Sequence, residues 1–229
     1  MKQIIRNFIL LAATFGHSAP VTDWPNLARY QKANAELQAP AADEARVVFM
    51  GDSITDAWPR NTPEFFSKNP YIGRGISGQT SPQMLLRFRQ DVIALQPKVV
   101  VILAGTNDLA GNTGPMTPEQ TMDNLASMVE LAKAHGIRVV LASVPPATVF
   151  GWRREMGNPA ERIIAMNQLI RAYAEKNGCV YLDYHKALAD AENGLKKEFQ
   201  EDAVHPNQAG YEVMAPLAQK AIAEALSQN

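Results

Sequence analysis

The chain has 229 residues, with 22 Lys and Arg against 23 Asp and Glu and a net charge of −1. That length suits one domain with interior enough to fold without disulfides or a structural metal. Balanced charge with no basic run excludes the positive footprint of a nucleic-acid binder, and 46% hydrophobic with 20% charged residues excludes intrinsic disorder.

At the N-terminus, Lys2 and Arg6 precede an apolar stretch from Phe8 to Phe15. A basic segment followed by a short apolar one is the pattern of a secretory signal and is too short to span a bilayer. Residues 1–19 are therefore expected to be a signal peptide and 20–229 a single domain, periplasmic or secreted. The alternative is a cytoplasmic protein with an apolar N-terminal helix packed on the domain. No other segment approaches the roughly 18 apolar residues of a transmembrane helix.

Residues 20–45 read as a helical lead-in. Residues 46–50, 98–103, 138–143 and 179–183 are short, nearly continuous apolar runs rich in valine, as strands buried on both faces should be. The single cysteine, Cys179, opens the last run and reads as a buried structural thiol. Between the runs lie helix signals. Thr117-Pro118-Glu119-Gln120 is a capping box with Pro at the first helical position, opening a helix that stops at Gly136. Asn158-Pro159-Ala160-Glu161 starts another that ends near Gly178, and a last helix covers about 207–226. Strands alternating with capped helices imply crossover connections and a parallel sheet covered on both faces.

Ligands of such sheets bind at the C-terminal ends of the strands, so the segments leaving the strands are the places to search. The first strand empties into Gly51-Asp52-Ser53, where a serine at a helix start suits a nucleophile but serves equally well as a turn and N-cap. Its surroundings do not fit the Gly-x-Ser-x-Gly elbow. Residues 73–80, Gly-Arg-Gly-Ile-Ser-Gly-Gln-Thr, form a glycine-rich loop with no strong strand before it, whose backbone N–H groups could approach a substrate oxygen. Gly105-Thr106-Asn107-Asp108 leaves the next strand, and Asn107 could donate to an oxyanion or form an Asx turn. Last, Asp202 precedes His205 by three residues, close enough to fix the imidazole tautomer. Asp183 competes as the carboxylate partner because it also ends a strand.

Taken in this order, Gly51-Asp52-Ser53, Gly78, Gly105-Thr106-Asn107-Asp108 and Asp202-x-x-His205 resemble the GDSL, or SGNH, hydrolase family, with Ile54 where the family's name motif has Leu. The stretch from Gly75 to Asn107 is most similar to the branch of platelet-activating-factor acetylhydrolase-like and carbohydrate O-acetyl esterases. The resemblance covers residues 46 to about 220. It implies an α/β fold of three layers, α/β/α and flavodoxin-like, around a central parallel five-stranded sheet. It also implies ester hydrolysis with no metal or other cofactor. By that carry-over Ser53 is the nucleophile, His205 the base and Asp202 its orienting acid. The Ser53 and Gly78 backbone N–H groups and the Asn107 side chain form the oxyanion hole.

The expected substrate is a small-molecule or carbohydrate ester with a short, acetyl-type acyl group, because no long apolar loop is available to wrap a fatty chain. Trp58, close in sequence to Ser53, and Trp152 with Arg153, on the segment leaving the strand at 138–143, are the candidate substrate contacts. Four rivals stand beside this reading. Two are a lysophospholipase or a thioesterase of the same family. A third is a metal-dependent phosphoesterase using Asp52, Asp56, Asp108, Asp202 and His205. The last is a secreted carbohydrate-binding protein without catalysis. The sequence leaves the oligomeric state open.

Overall fold

The computed structural model describes residues 22–228; the expected signal peptide lies outside them. Five strands, β1 (Val47–Gly51), β2 (Tyr71–Gly75), β3 (Val99–Leu103), β4 (Arg138–Ala142) and β5 (Val180–Leu182), pair in parallel in the order β2-β1-β3-β4-β5. The helices are α1 (Gln31–Glu36), α2 (Ser53–Asn61), α3 (Pro63–Ser67), α4 (Ser81–Asp91), α5 (Thr106–Leu109), α6 (Pro118–Ala134), α7 (Ala160–Lys176), α8 (Tyr184–Leu188) and α9 (Gln208–Ser227).

The valine runs become strands because both faces are covered. Alternate residues point to opposite layers. Val48, Met50, Val100, Ile102, Val139 and Leu141 pack with residues of α4, α6 and α7. Val47, Phe49, Val99, Val101 and Val140 pack with residues of α2, α3, α8 and α9. The helix signals hold as well: Thr117 accepts from the Gln120 N–H, Gln120 accepts from the Thr117 N–H, and α6 gives way to Gly136 in a left-handed conformation, φ 69°.

β2 departs from the pattern reading, which placed residues 73–75 in a loop. Its sequence, Tyr-Ile-Gly-Arg-Gly, lacks a β-branched run because α2 crosses it closely. A Cβ at Gly75 would lie 2.1 Å from the backbone nitrogen of Asp56, so close approach overrides strand propensity.

The chain steps from β1 out to β2 and returns on the other side of β1 to build β3. The order therefore reverses between β1 and β3, and a crevice opens at the carboxyl ends of those two strands. Gly51 and Leu103 end them side by side.

Candidate active site

Ser53 is the first residue of α2, directly beyond β1. The buried Asp52 carboxylate caps that helix by accepting from the Ile54 N–H at 3.0 Å. This leaves the serine Oγ at the helix N-terminus, where the exposed end of the dipole favours negative charge. Ser53 Oγ stands 2.9 Å from His205 Nε2, and His205 Nδ1 stands 2.8 Å from Asp202 Oδ2.

The loop that carries Asp202 and His205 is locally braced. Asp202 Oδ1 accepts from the backbone N–H groups of Val204 and His205, both at 2.8 Å, and the Glu201 N–H bonds the His205 carbonyl at 2.8 Å. Desolvation pushes the Asp202 pKa up, but the hydrogen bonds from the His205 backbone and ring and the Val204 N–H outweigh it and hold the carboxyl below its ordinary value. An ionised Asp202 only accepts, so Nδ1 carries the ring proton and Nε2 is left to accept from the serine hydroxyl. Asp183 is engaged elsewhere: it caps α8 through the Lys186 N–H at 2.9 Å and pairs with Arg171 at 2.6 Å.

Opposite the imidazole, the N–H groups of Ser53 and Gly78 have no protein acceptor among the described residues. Gly78 has φ 79° with open space where a Cβ would stand, so a glycine is needed for the conformation rather than for room. Asn107, buried at the start of α5, directs Nδ2 at the Gln79 carbonyl at 3.0 Å and more distantly at Asp52 Oδ2 at 3.4 Å. Ser53, Ser77, Gly78, Asn107, Asn112, Trp152 and His205 line one open cleft of about 410 Å³.

Behind this wall lies a polar network that sequence reasoning missed. Arg87 and Asp91, one turn apart on α4, are both fully buried and paired at 3.1 Å. Arg87 also donates to the Gly51 carbonyl at 3.0 Å and to Gln79 Oε1 at 2.6 Å, tying the end of β1 to the residue that holds Asn107. The available signal was the spacing Met84-Arg87-Phe88-Asp91, which puts both charges on the apolar face of α4. Asp108 accepts from the Ser81 N–H at 3.0 Å and fastens α4 to the β3 end. Burial raises the pKa values of Asp108 and Asp52, that of Asp52 to about 7. Tyr211, also missed, donates from its hydroxyl to the Ile54 carbonyl at 2.7 Å and so locks α9, the helix after His205, to the first turn of α2.

The expected substrate contacts divide. Trp152 is 42% exposed on the cleft rim, its ring 6.3 Å from that of His205. Trp58 is 1% exposed and does not line the cleft; it stacks on Phe65 at 5.0 Å in the α2–α3 layer. Its place is a correction with a simple cause: Trp58 is five residues beyond Ser53, so helical rotation turns it to the sheet side. Arg153 lies outside the cleft lining, 3.4 Å from Glu155.

The strand order and the hydroxyl–imidazole–carboxylate chain at its switch point define an SGNH-type α/β fold. The model of the GDSL-like lipase/acylhydrolase family matches residues 49–213, and the chain belongs to that family. It is similar to the crystal structure of a GDSL-like lipase from Bacteroides thetaiotaomicron. That match has 48% identity and a TM-score of 0.86, over 89% of this chain and all of the other. It is 30% identical to esterase TesA of Pseudomonas aeruginosa over 59% of this chain, and 25% identical to an acetylxylan esterase of Xylanibacter ruminicola over 81% of it. The alignments span 60% and 45% of those two curated relatives.

Proposed function

We propose that the protein is a serine esterase that hydrolyses short-chain, acetyl-type carboxylic esters. The observation that carries this reading is the unbroken 2.9 Å and 2.8 Å chain from Ser53 Oγ through His205 to Asp202, opening on the cleft. Ser53 Oγ attacks the ester carbonyl carbon while His205 Nε2 takes the hydroxyl proton. The oxyanion is stabilised by the Ser53 and Gly78 N–H groups and by Nδ2 of Asn107, residues that line the cleft. His205 then returns the proton to the leaving alcohol, the acyl group remains on Ser53, and a water deprotonated by the same imidazole releases the acid.

The cleft supports a short acyl group. Of its lining side chains only Trp152 is a large apolar one, too little wall for a fatty chain. An exposed indole beside amide side chains also favours a second reading, in which the alcohol is a sugar and the enzyme removes O-acetyl groups; the acetylxylan esterase relative lends it weight. We place the protein outside the cytoplasm on the pattern of residues 1–19; among the described residues no helix is long and apolar enough to cross a membrane.

The test is a series of p-nitrophenyl esters from acetate to palmitate, below their micellar concentrations, run beside acetylated sugars. kcat/KM should fall steeply beyond butyrate, and Ser53→Ala should abolish turnover with the fold retained. An optimum at ten carbons or more would overturn the acyl-length reading, and a Ser53→Ala enzyme with more than a few per cent of the activity would overturn the nucleophile.

A further inference from the structure

Three side chains form a hydrogen-bonded line from the cleft rim to the buried Asn107 that the acyl-transfer chemistry does not itself require. Trp152 Nε1–H donates to Asn112 Oδ1 at 2.9 Å. Asn112 Nδ2 in turn donates to Asn107 Oδ1 at 2.8 Å and to the Gly78 carbonyl at 3.2 Å. Asn112 therefore touches both oxyanion elements other than the nucleophile's own N–H, and it does so from an exposed loop between α5 and α6. The loop is strapped down next to it: Thr113 Oγ1 lies 2.9 Å from Thr80 Oγ1.

Resting on the esterase reading, we infer that Asn112 is a positioning residue for the oxyanion hole and that the Trp152 indole N–H sets its orientation. An amide side chain presents a donor at one end and an acceptor at the other, and its partners decide which way it faces. Asn107 Oδ1 has Asn112 as its protein partner, so this bond fixes which end of the Asn107 amide carries the donor, with Nδ2 directed at the Gln79 carbonyl and Asp52 Oδ2 beside Ser53. The same amide group holds the carbonyl of Gly78, which lines the cleft in a left-handed conformation, φ 79°. A flip would set the Asn112 oxygen against Asn107 Oδ1 and the Gly78 carbonyl, and Trp152, which donates to that oxygen, adds to the preference for the observed orientation. The indole ring, stacked at 5.5 Å on the buried Phe150, is held in place to do so.

The experiment measures kcat and KM for p-nitrophenyl acetate in wild type, Asn112→Ala, Asn112→Asp, Trp152→Phe, Asn107→Ala and the Asn107→Ala/Asn112→Ala double variant, with Ser53→Ala as the control for the reading itself. Asn112→Ala should lower kcat about tenfold, below the 10²–10³ expected for loss of the donor itself, with KM within about threefold of wild type. Asn112→Asp should be slower still, because it sets a negative acceptor against two carbonyl oxygens. Trp152→Phe, which keeps the ring and removes the N–H, should lower kcat by a few fold. On the Asn107→Ala background, Asn112→Ala should cost clearly less than it does alone, only its share through Gly78 remaining, since coupled residues are non-additive. A rise in KM at unchanged kcat, additive losses in the double variant, or wild-type kinetics in Asn112→Ala overturns the inference while leaving the esterase intact. A wild type whose ester hydrolysis survives Ser53→Ala unchanged overturns the esterase reading, and the inference with it.

Discussion

At the Ser53 end of the cleft, Asp52, Arg87 and Asp91 are completely buried, and Arg87 ties α4 through the core to the end of β1 and to Gln79. At the His205 end, the Asp202 side chain is 58% exposed and its bonds are all to residues within three positions of it in the chain. One end is rigid because the core surrounds it; the other is rigid because a short loop bonds to itself. Changes at the buried end should therefore cost stability and turnover together, whereas changes at the exposed end should cost turnover alone.

Asp202→Asn is the strongest test of the exposed end. It removes the acceptor that keeps the Nδ1 proton in place, so kcat should fall by up to about 10⁴ while the melting temperature stays within a degree or two of wild type. Asp183→Asn, which can still cap α8 but loses the Arg171 ion pair, should show the reverse pattern, a small loss of stability with kcat near that of wild type.

The buried end is tested by Arg87→Met, followed by denaturant unfolding. It strands Asp91 as an unpaired charge in the core, and stability should fall by about 3–5 kcal/mol. Turnover should fall as well, because Gln79 loses the partner that positions it beneath Asn107.

Asp52 gives the comparison a pH signature. Its carboxyl titrates near 7 in the folded chain and near 4 when unfolded, so between those values the native state holds the extra proton. Unfolding free energy should therefore decline as pH rises from about 4 to about 7 and level off above. The total is on the order of 4 kcal/mol from this group, with Asp108 acting in the same direction. Asp52→Asn, which can still cap α2, should flatten the slope in stability curves taken across that range.

The smallest effect falls on the tie between the two ends. Tyr211→Phe leaves the Ile54 carbonyl without its partner, at a cost of about 1–2 kcal/mol in stability. It should lower kcat by a few fold through a looser Ser53–His205 distance, readable in parallel melts and initial rates.

Much of the frame was legible along the chain. Four strands announced themselves as short apolar runs because burial on both faces demands apolar residues at nearly every position, and α6 was readable because a capping box and Gly136 act within a turn. Ser53 and Asn107 could be singled out because each sits where a strand gives way to a helix, and Asp202 and His205 because they stand three residues apart on one loop, so local spacing locates them as candidates.

What remained hidden depends on neighbours far away in sequence. The glycines of β2 are explained only by α2 crossing over them, and the burial of Trp58 only by the layer it packs into. Arg87, Asn112 and Tyr211 look like ordinary residues of a helix or loop until the fold brings them to Gly51, Gly78 and Ile54, across 36, 34 and 157 positions. Periodicity and capping are short-range properties that a sequence carries on its face. Which polar group satisfies which buried partner is decided by contacts that exist only once the sheet has closed between its helical layers.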